Sequence, residues 1–359
     1  MITSDGTPHG RAQAMVTGRN IGQFFGDRPL EILSEISAAQ NTPTLRQLNQ
    51  RARSLTVRYL TSAASSAWLS RFTSAVDKAI LKRNVELAGA ADLRVCWCFC
   101  GAAGRGESIT RLAPHVALIA PDEGDPARWQ RASEAVVELM NQCGYLPHAD
   151  KPFEPLFYSA PESEWKQRFS GWLSDPILNQ IYRARPLFDL LPVVGDESLW
   201  QQLKASTNSG LNGEFLTIVA NDCLATLPPL TFFQNAVVDE AGEETSVFRL
   251  EECVLRPLVD VGRVFGMAAG NVFGSSTAER FAMARDLVAD QAPIFDAASD
   301  ALRAVLWQQG RVGITENTSG MEISPALLGP YERQILRHGF HSILRLLEFT
   351  GEFEWLKVR

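Results

Sequence analysis

The chain has 359 residues, of which 45% are hydrophobic and 21% are charged, and its formal net charge is -7. This composition is typical of a globular protein with about two or three domains. The acidic balance argues against nucleic acid or an anionic membrane as a partner. No apolar run reaches the roughly 18–20 residues of a membrane-spanning helix. Residues 1–24 lack a signal-peptide pattern, so we expect a flexible N-terminus on a cytoplasmic protein.

Helical periodicity dominates residues 25–89. Apolar residues recur at four-residue steps at Trp68, Phe72, Val76 and Ile80, which describes one face of an amphipathic helix. We therefore predict an N-terminal helical region over this range.

Residues 90–160 predict a small mixed α/β core. Leu93–Cys100 and Val116–Ala120 are rich in strand-forming residues. A helix is predicted from Pro126 to Asn141, and Gly144 suits the left-handed conformation that ends a helix.

Three of the six cysteines, Cys96, Cys98 and Cys100, alternate along the first predicted strand. Side chains two residues apart lie on the same face of a strand, so we expect these thiols to be buried together as small apolar groups. Metal ligation is the alternative, although neighbours on one strand do not easily converge on a tetrahedral ion. The other cysteines are isolated, which favours a reducing compartment over a disulfide framework.

Helices dominate residues 161–359. Ser276 and Glu279 form a capping-box pattern that opens one helix, and Ser324 before Pro325 predicts the start of the last. The predicted fold class is α+β, with a small mixed-sheet core between an N-terminal helical segment and a C-terminal helical bundle.

The candidate site lies between the two predicted strands. Gly101 and Gly104 bracket a turn where a backbone without side chains approaches a phosphate closely and donates its amides. Arg105 offers a forked cation for a triphosphate. A glycine pair alone more often marks an ordinary turn. Together with Arg105, Glu107 and a second strand, it predicts a nucleotide-phosphate site.

These residues resemble a motif of bacterial nucleotidyltransferases related to the N-terminal domain of protein-PII uridylyltransferase. The family pattern reads Gly-Ser-x-Gly-Arg-x-Glu, a spacer, then Thr-Asp-x-Asp-Asn-Ala-Leu. Many members carry CBS or cyclic-nucleotide-binding domains upstream, and we expect none in this chain. The pattern is matched at Gly101, Gly104, Arg105, Glu107 and Ala117-Leu118.

The resemblance extends over about residues 40–355, and it implies that the C-terminal helices form a substrate-binding domain. Further similar segments are Trp165 to Trp172, Phe188-Asp189 with Gly195-Asp196, Pro228-Pro229-Leu230, Arg256 to Asp260 with Arg263, and Thr277 with Arg280.

The chain departs from the family where catalysis takes place. The resemblance implies two aspartates on the second strand, which hold the Mg²⁺ ions that act on a nucleoside triphosphate (NTP). The aligned positions hold Ala113 and His115. Alanine has no ligand atom, and histidine is a poor ligand for Mg²⁺. We therefore expect no catalytic residue and no metal ligand at these degenerate positions, with Mg²⁺ and NTP as cofactors only where activity remains.

Other side chains are weak substitutes for the missing ligands. Glu107 is more typical of a residue that fixes the turn, and Asp122 and Glu123 fall in a predicted solvated turn. His338 and His341 lie three residues apart near a helix end, where metal binding is disfavoured.

Three functions remain open from the sequence. The first is a protein with a nucleotidyltransferase fold, impaired catalysis and a regulatory role in bacterial signal transduction, through a bound nucleotide or a protein partner. The second is an active nucleotidyltransferase with a rearranged metal site, which transfers a nucleotide to a protein or a small hydroxyl acceptor. The third is an interaction scaffold that binds no nucleotide.

Overall fold

The fold is α+β, as predicted, with helices around a small four-stranded sheet. Within the described part of the chain, no helix is both long and apolar enough to cross a membrane. The computed structural model describes residues 2–3, 12–14, 29–146, 158–225, 237–238, 244–245, 248–324 and 328–357.

The central sheet has the strand order β5-β4-β3-β6, in which β3 is antiparallel to β4 and β6, and β5 is parallel to β4. Strand β6 comes from the range predicted as the C-terminal domain, so the sheet extends past residue 160. The domain division at that residue stays a prediction.

The sheet strands are β3 Cys96–Cys100, β4 His115–Ala120, β5 Tyr158–Pro161 and β6 Leu191–Gly195. Short two-stranded pairs are β1 Ile2–Thr3 with β2 Ala12–Ala14, β7 Val237–Val238 with β8 Glu244–Thr245, and β9 Phe248–Arg249 with β10 Glu322–Ile323.

Strand β3 separates two hydrophobic cores. Trp97 and Phe99 face the core built with the N-terminal helices, whereas Cys96, Cys98 and Cys100 face the core built with the C-terminal helices. The predicted burial of the three thiols on one face is confirmed, and all three are free cysteines. Burial raises the pKa of the Cys98 and Cys100 thiols, so both stay protonated at neutral pH.

From Pro29 onward, where the structure describes the N-terminal region, it contains three helices. Asn41 caps the second of them by accepting a hydrogen bond from the Thr44 amide. In the third helix the predicted apolar face is buried from Phe72 onward. Trp68 lies at its rim, 38% exposed, and stacks on Phe72. These helices are α1 Pro29–Ala38, α2 Thr42–Tyr59 and α3 Ala63–Leu87.

The helix spanning Arg256–Ala268 (α10) is the centre of the C-terminal region, because every residue from Pro257 to Ala268 is buried. The next helix packs closely against its glycines: a Cβ at Gly262 would lie 2.9 Å from Thr277 Cγ2, and one at Gly266 would lie 2.9 Å from Arg280 Cγ. The core is therefore organised around one fully enclosed helix.

The predicted caps are only partly confirmed. Ser276 and Glu279 do form a capping box, and Gly144, with φ +75°, does end its helix. The last helix begins at Pro330, directly after Gly329, so the predicted start at Ser324 is wrong, and Pro325 lies outside the described residues.

The other helices are α4 Gly101–Gly104, α5 Pro126–Gln142, α6 Glu162–Ser174, α7 Leu178–Ala184, α8 Glu197–Gly210, α9 Gly213–Cys223, α11 Thr277–Leu287, α12 Ala292–Thr315 and α13 Pro330–Glu352. Short 3₁₀ turns span Arg185–Asp189, Ala289–Gln291 and Trp355–Lys357, and a π-helical turn spans Glu251–Leu255.

Candidate functional site

The predicted phosphate turn and the degenerate metal position lie side by side. Cys100 pairs with His115 across the antiparallel strands, which brings the start of β4 against the end of β3. Gly101 follows with φ +60°, a conformation that favours glycine. A Cβ at Gly101 would lie 3.5 Å from His115 Cδ2 and 3.6 Å from Pro186 Cβ. Gly101 is therefore buried, with His115 and Pro186 packed beside it.

The second glycine is needed for close packing. A Cβ at Gly104 would lie 2.0 Å from the Asp189 carbonyl oxygen and 3.0 Å from the Phe99 carbonyl oxygen. No side chain fits between two backbones at that distance. Gly104 therefore presses the turn against the Arg185–Asp189 segment.

Arg105 and Glu107, both predicted to contact phosphate, are buried within the protein. Arg105 donates through Nε to Glu107 and through Nη1 to Asp189, each at 2.6 Å. The other carboxylate oxygen of Glu107 accepts the Thr277 amide at 2.8 Å, at the start of α11. Glu107 therefore fixes the turn against the C-terminal helices, and its role in phosphate binding, like that of Arg105, stays a prediction.

Asp189 is the centre of this network. Besides Arg105, its carboxylate accepts from Arg263 Nε at 3.0 Å and Nη2 at 2.5 Å, and from Arg280 Nη1 at 2.7 Å. The Asp189 side chain has no solvent exposure. Burial alone would raise the pKa of Asp189, but the attraction of Arg263, Arg105 and Arg280 holds it well below its usual range. Three cations thus converge on one ionised carboxylate.

The alternation of charges continues toward the surface. Arg263 also pairs with Asp260, and Asp260 and Asp222 both pair with Arg185. Side-chain exposure rises along this series, from 0% at Asp189 to 7% at Asp260 and 28% at Asp222. The network therefore runs from the buried turn to a small cavity between α7, α9 and α10.

The loop between the turn and β4 is held by a second buried arginine. Arg111 has φ 62°, which is uncommon for a residue with a side chain. Its guanidinium donates to Asn49 Oδ1 at 2.9 Å and to the Thr73 carbonyl at 3.0 Å, and it pairs with Asp77. Tyr145 donates to Asp77 at 2.9 Å. Burial outweighs these partners and raises the pKa of Asp77.

The same loop packs against α12 through two glycines. A Cβ at Gly310 would lie 2.9 Å from Ile109 Cγ2, and one at Gly313 would lie 2.7 Å from Thr110 Cγ2. Together with Arg111, these contacts tie the loop to helices from both ends of the chain. The loop that leads into the candidate metal position is therefore part of the packed interior.

Among the described residues, no nearby carboxylate takes the place of the aspartates missing at Ala113 and His115. Ala113 is buried just before β4, and its amide donates to the Leu146 carbonyl at 2.9 Å. Asp122 and Glu123 follow the opposite end of β4, a strand that runs about 16 Å from His115 to Ala120 at the usual rise per residue. Both are exposed, and Asp122 caps α6 by accepting the Ser163 amide. Neither therefore replaces the missing aspartates.

The remaining candidates lie elsewhere. His338 and His341 are exposed on α13. Among the described residues, no group of three or more His, Cys, Asp or Glu side chains is placed to hold a metal ion.

Sequence reasoning missed that several of the segments that resemble the family bind one another in this chain. Asp189, Asp260, Arg263 and Arg280 were recognised as separate matches, and the fold brings them to one point. A signal was present, since these charged residues occur in strongly apolar stretches. Arg111 carried the same signal, between Ile109 and Leu112.

Two family sequence models match the chain. Residues 50–178 match the family described as "Putative nucleotidyltransferase DUF294", and residues 213–352 match the "Putative nucleotidyltransferase substrate binding domain". No curated protein matches the chain. Asp189 lies between the two matched segments and binds arginines from both. The two matches indicate that the chain is a member of the nucleotidyltransferase family that these models describe.

Proposed function

We propose that this chain is a nucleotidyltransferase-fold protein that has lost catalysis and acts by binding a nucleotide or a protein partner. The observation that carries the proposal is the absence of a carboxylate at Ala113 and His115, beside a turn that keeps both glycines. Two metal ions supply most of the charge stabilisation in nucleotidyl transfer, and these residues cannot hold them.

Two features of the turn support phosphate binding that does not depend on metal. Gly101 retains its positive φ, and the first amides of a helix have no acceptor within the helix. Because Arg105 is bound to Asp189 and Glu107, a phosphate would meet the turn from the side of Gly101, His115 and Pro186. The regulatory role in bacterial signalling rests on the resemblance of the motif at residues 101–107 to that of protein-PII uridylyltransferases, and that relationship is part of the proposal.

A pure scaffold is the second candidate, and the engagement of Arg105 favours it. A phosphate could recruit that guanidinium only by displacing Asp189 or Glu107, which would break a buried charge network. In the scaffold, the turn would have only a structural role.

The test is pyrophosphate release from ATP, UTP, GTP and CTP with Mg²⁺, together with calorimetric titration of each nucleotide. We expect binding without release. Metal-dependent release would establish the active enzyme instead, and flat titrations would establish the scaffold. A further experiment uses the double substitution Ala113→Asp with His115→Asp. Metal-dependent nucleotide binding by this variant, and not by the wild type, would show that the site lost its metals through these two positions.

Glu107 is unsuitable as a test of catalysis. Its two carboxylate oxygens hold Arg105 and the Thr277 amide in a buried position. Substitution would destabilise the fold whether or not the protein has activity.

A further inference from the structure

The exposed face of α13 is basic, although the chain as a whole is acidic. Arg333, Arg337, His341 and Arg345 follow at four-residue steps, and all four are exposed. Residues at this spacing lie on one side of a helix. The chain has 41 acidic and 34 basic residues, yet no Asp or Glu occurs in α13 from 333 to 347. These four residues, which we call the basic face, extend over about 18 Å at the helical rise.

The basic face is concave at its N-terminal end. A groove of about 490 Å³ is lined by Pro330, Arg333, Gln334, Arg337 and His338. Grooves of this size hold a small ligand or several side chains of a peptide. The face therefore offers both charge and shape to an anionic segment.

An acidic run occurs elsewhere in the same chain. Asp239, Glu240, Glu243 and Glu244 place four carboxylates within six residues. The run connects the paired strands β7 and β8, and residues 239–243 lie outside the described residues. Its charge is complementary to that of the basic face.

The segment that carries the acidic run is attached to α13 at both ends. On one side, Leu224 directly follows α9, and a Cβ at Gly351 would lie 3.2 Å from its Cδ1. On the other side, the Phe248 and Phe340 rings lie 5.8 Å apart, and both are buried. The acidic run is thus tethered to the helix that carries the basic face.

The tether is short enough to bring the opposite charges together. Glu244 is four residues from Phe248, so it lies within about 14 Å of that attachment point. Arg337 and Arg345 are three and five residues from Phe340, or about 5 Å and 8 Å along the helix. A short tether gives the carboxylates an effective concentration on the order of millimolar, which favours them over a separate anion.

We propose that the acidic run at residues 239–244 docks on the basic face of α13 within the same chain. The inference goes beyond the proposed function and does not depend on nucleotide binding. An anionic partner of the basic face would have to compete with the run.

The test is cleavage of the full chain by a glutamate-specific protease, with the rate of cleavage after Glu244 followed by mass spectrometry. Cleavage of a docked segment follows the fraction of molecules in which the segment is released. Arg337→Glu with Arg345→Glu should raise the rate at least about fourfold, because two attractions between exposed charges become repulsions. Arg94→Glu with Arg131→Glu is the matched control, because both arginines are exposed and lie outside α13. Circular dichroism confirms that each variant is folded.

A charge swap tests the pairing itself. Glu240→Lys with Glu243→Lys should raise the rate of cleavage by itself. Combined with the two substitutions on α13, it should return the rate toward that of the wild type. Glu244 stays in every variant as the cleavage site.

Three results would overturn the inference. A rate in the α13 variant equal to that of the control pair means that the run is not docked on the basic face. Faster cleavage in both variants without recovery in the swap means that the run and the face do not pair with each other. Wild-type protection that grows with protein concentration means that the run docks on a second copy. Because no substitution touches the Gly101 turn, each of these results leaves the proposed function to its own nucleotide titrations.

Discussion

Replacing Asp189 with asparagine is the sharpest perturbation of the fold. The substitution keeps the shape of the side chain and removes the charge that accepts four hydrogen bonds of 2.5–3.0 Å from three arginines. The asparagine amide group would also point an N–H group at a guanidinium. The three arginines would then be balanced only by Glu107 and Asp260.

Removing one partner of a buried charge network costs about 3–5 kcal/mol. A folded domain is stable by about 5–15 kcal/mol, so Asp189→Asn should lose about a fifth or more of the total free energy of unfolding. Urea denaturation followed by circular dichroism measures the change as a lower midpoint. Asp296→Asn is the control, because the Asp296 pair with Arg285 is about half exposed and is expected to contribute below about 1 kcal/mol. An Asp189→Asn midpoint equal to that of this control would refute the network as a source of stability.

Three further predictions concern the same interior. The low pKa of Asp189 contributes stability that is complete above about pH 4 and is lost as the pH falls further. In thermal melts, the melting temperature of the wild type should therefore fall more steeply below that pH than the melting temperature of Asp189→Asn. Gly104→Ala should destabilise strongly in urea melts, whereas Gly171→Ala, where a Cβ has nothing within 4 Å, should be neutral or slightly stabilising; equal effects would contradict the close packing. Arg111→Met should cost about 3–5 kcal/mol because it leaves Asp77 buried without its cation, and a loss below 1 kcal/mol by the same melts would contradict that pairing.

Local features of the fold were predictable because they depend on neighbouring residues. The alternation of Cys96, Cys98 and Cys100 fixed which side of β3 each occupies, since a strand has a two-residue period. The capping box at Ser276 and the left-handed Gly144 were predicted for the same reason.

Contacts between residues that lie far apart in the sequence could not be predicted from such local patterns. Arg105 was predicted to face a phosphate because its charge follows a glycine turn. In the structure Arg105 binds Glu107 and also Asp189, which lies 84 residues away in the 3₁₀ turn before β6. The joining of β6 to the sheet was missed for the same reason, since pairing is decided by tertiary contacts.

The candidate site was only partly accessible from the sequence. The neighbourhood of Gly101 and His115 was predicted from two strands around a turn, and the pairing of Cys100 with His115 accounts for it. The exposure of Leu178 and Tyr182 on α7 gave no sequence signal, because apolar residues at helical spacing look like ordinary core residues of a helix.

The central claim is that the turn persists without catalytic metals, and the dependence of ATP affinity on Mn²⁺ tests it most directly. Calorimetric titration of the wild-type chain with ATP, with Mn²⁺ and again with chelator, compares the two dissociation constants. Loss of both aspartates predicts that ATP binds in both conditions with the same affinity. Binding that requires Mn²⁺, or is much tighter with it, would contradict the claim and show that the site still holds its metal.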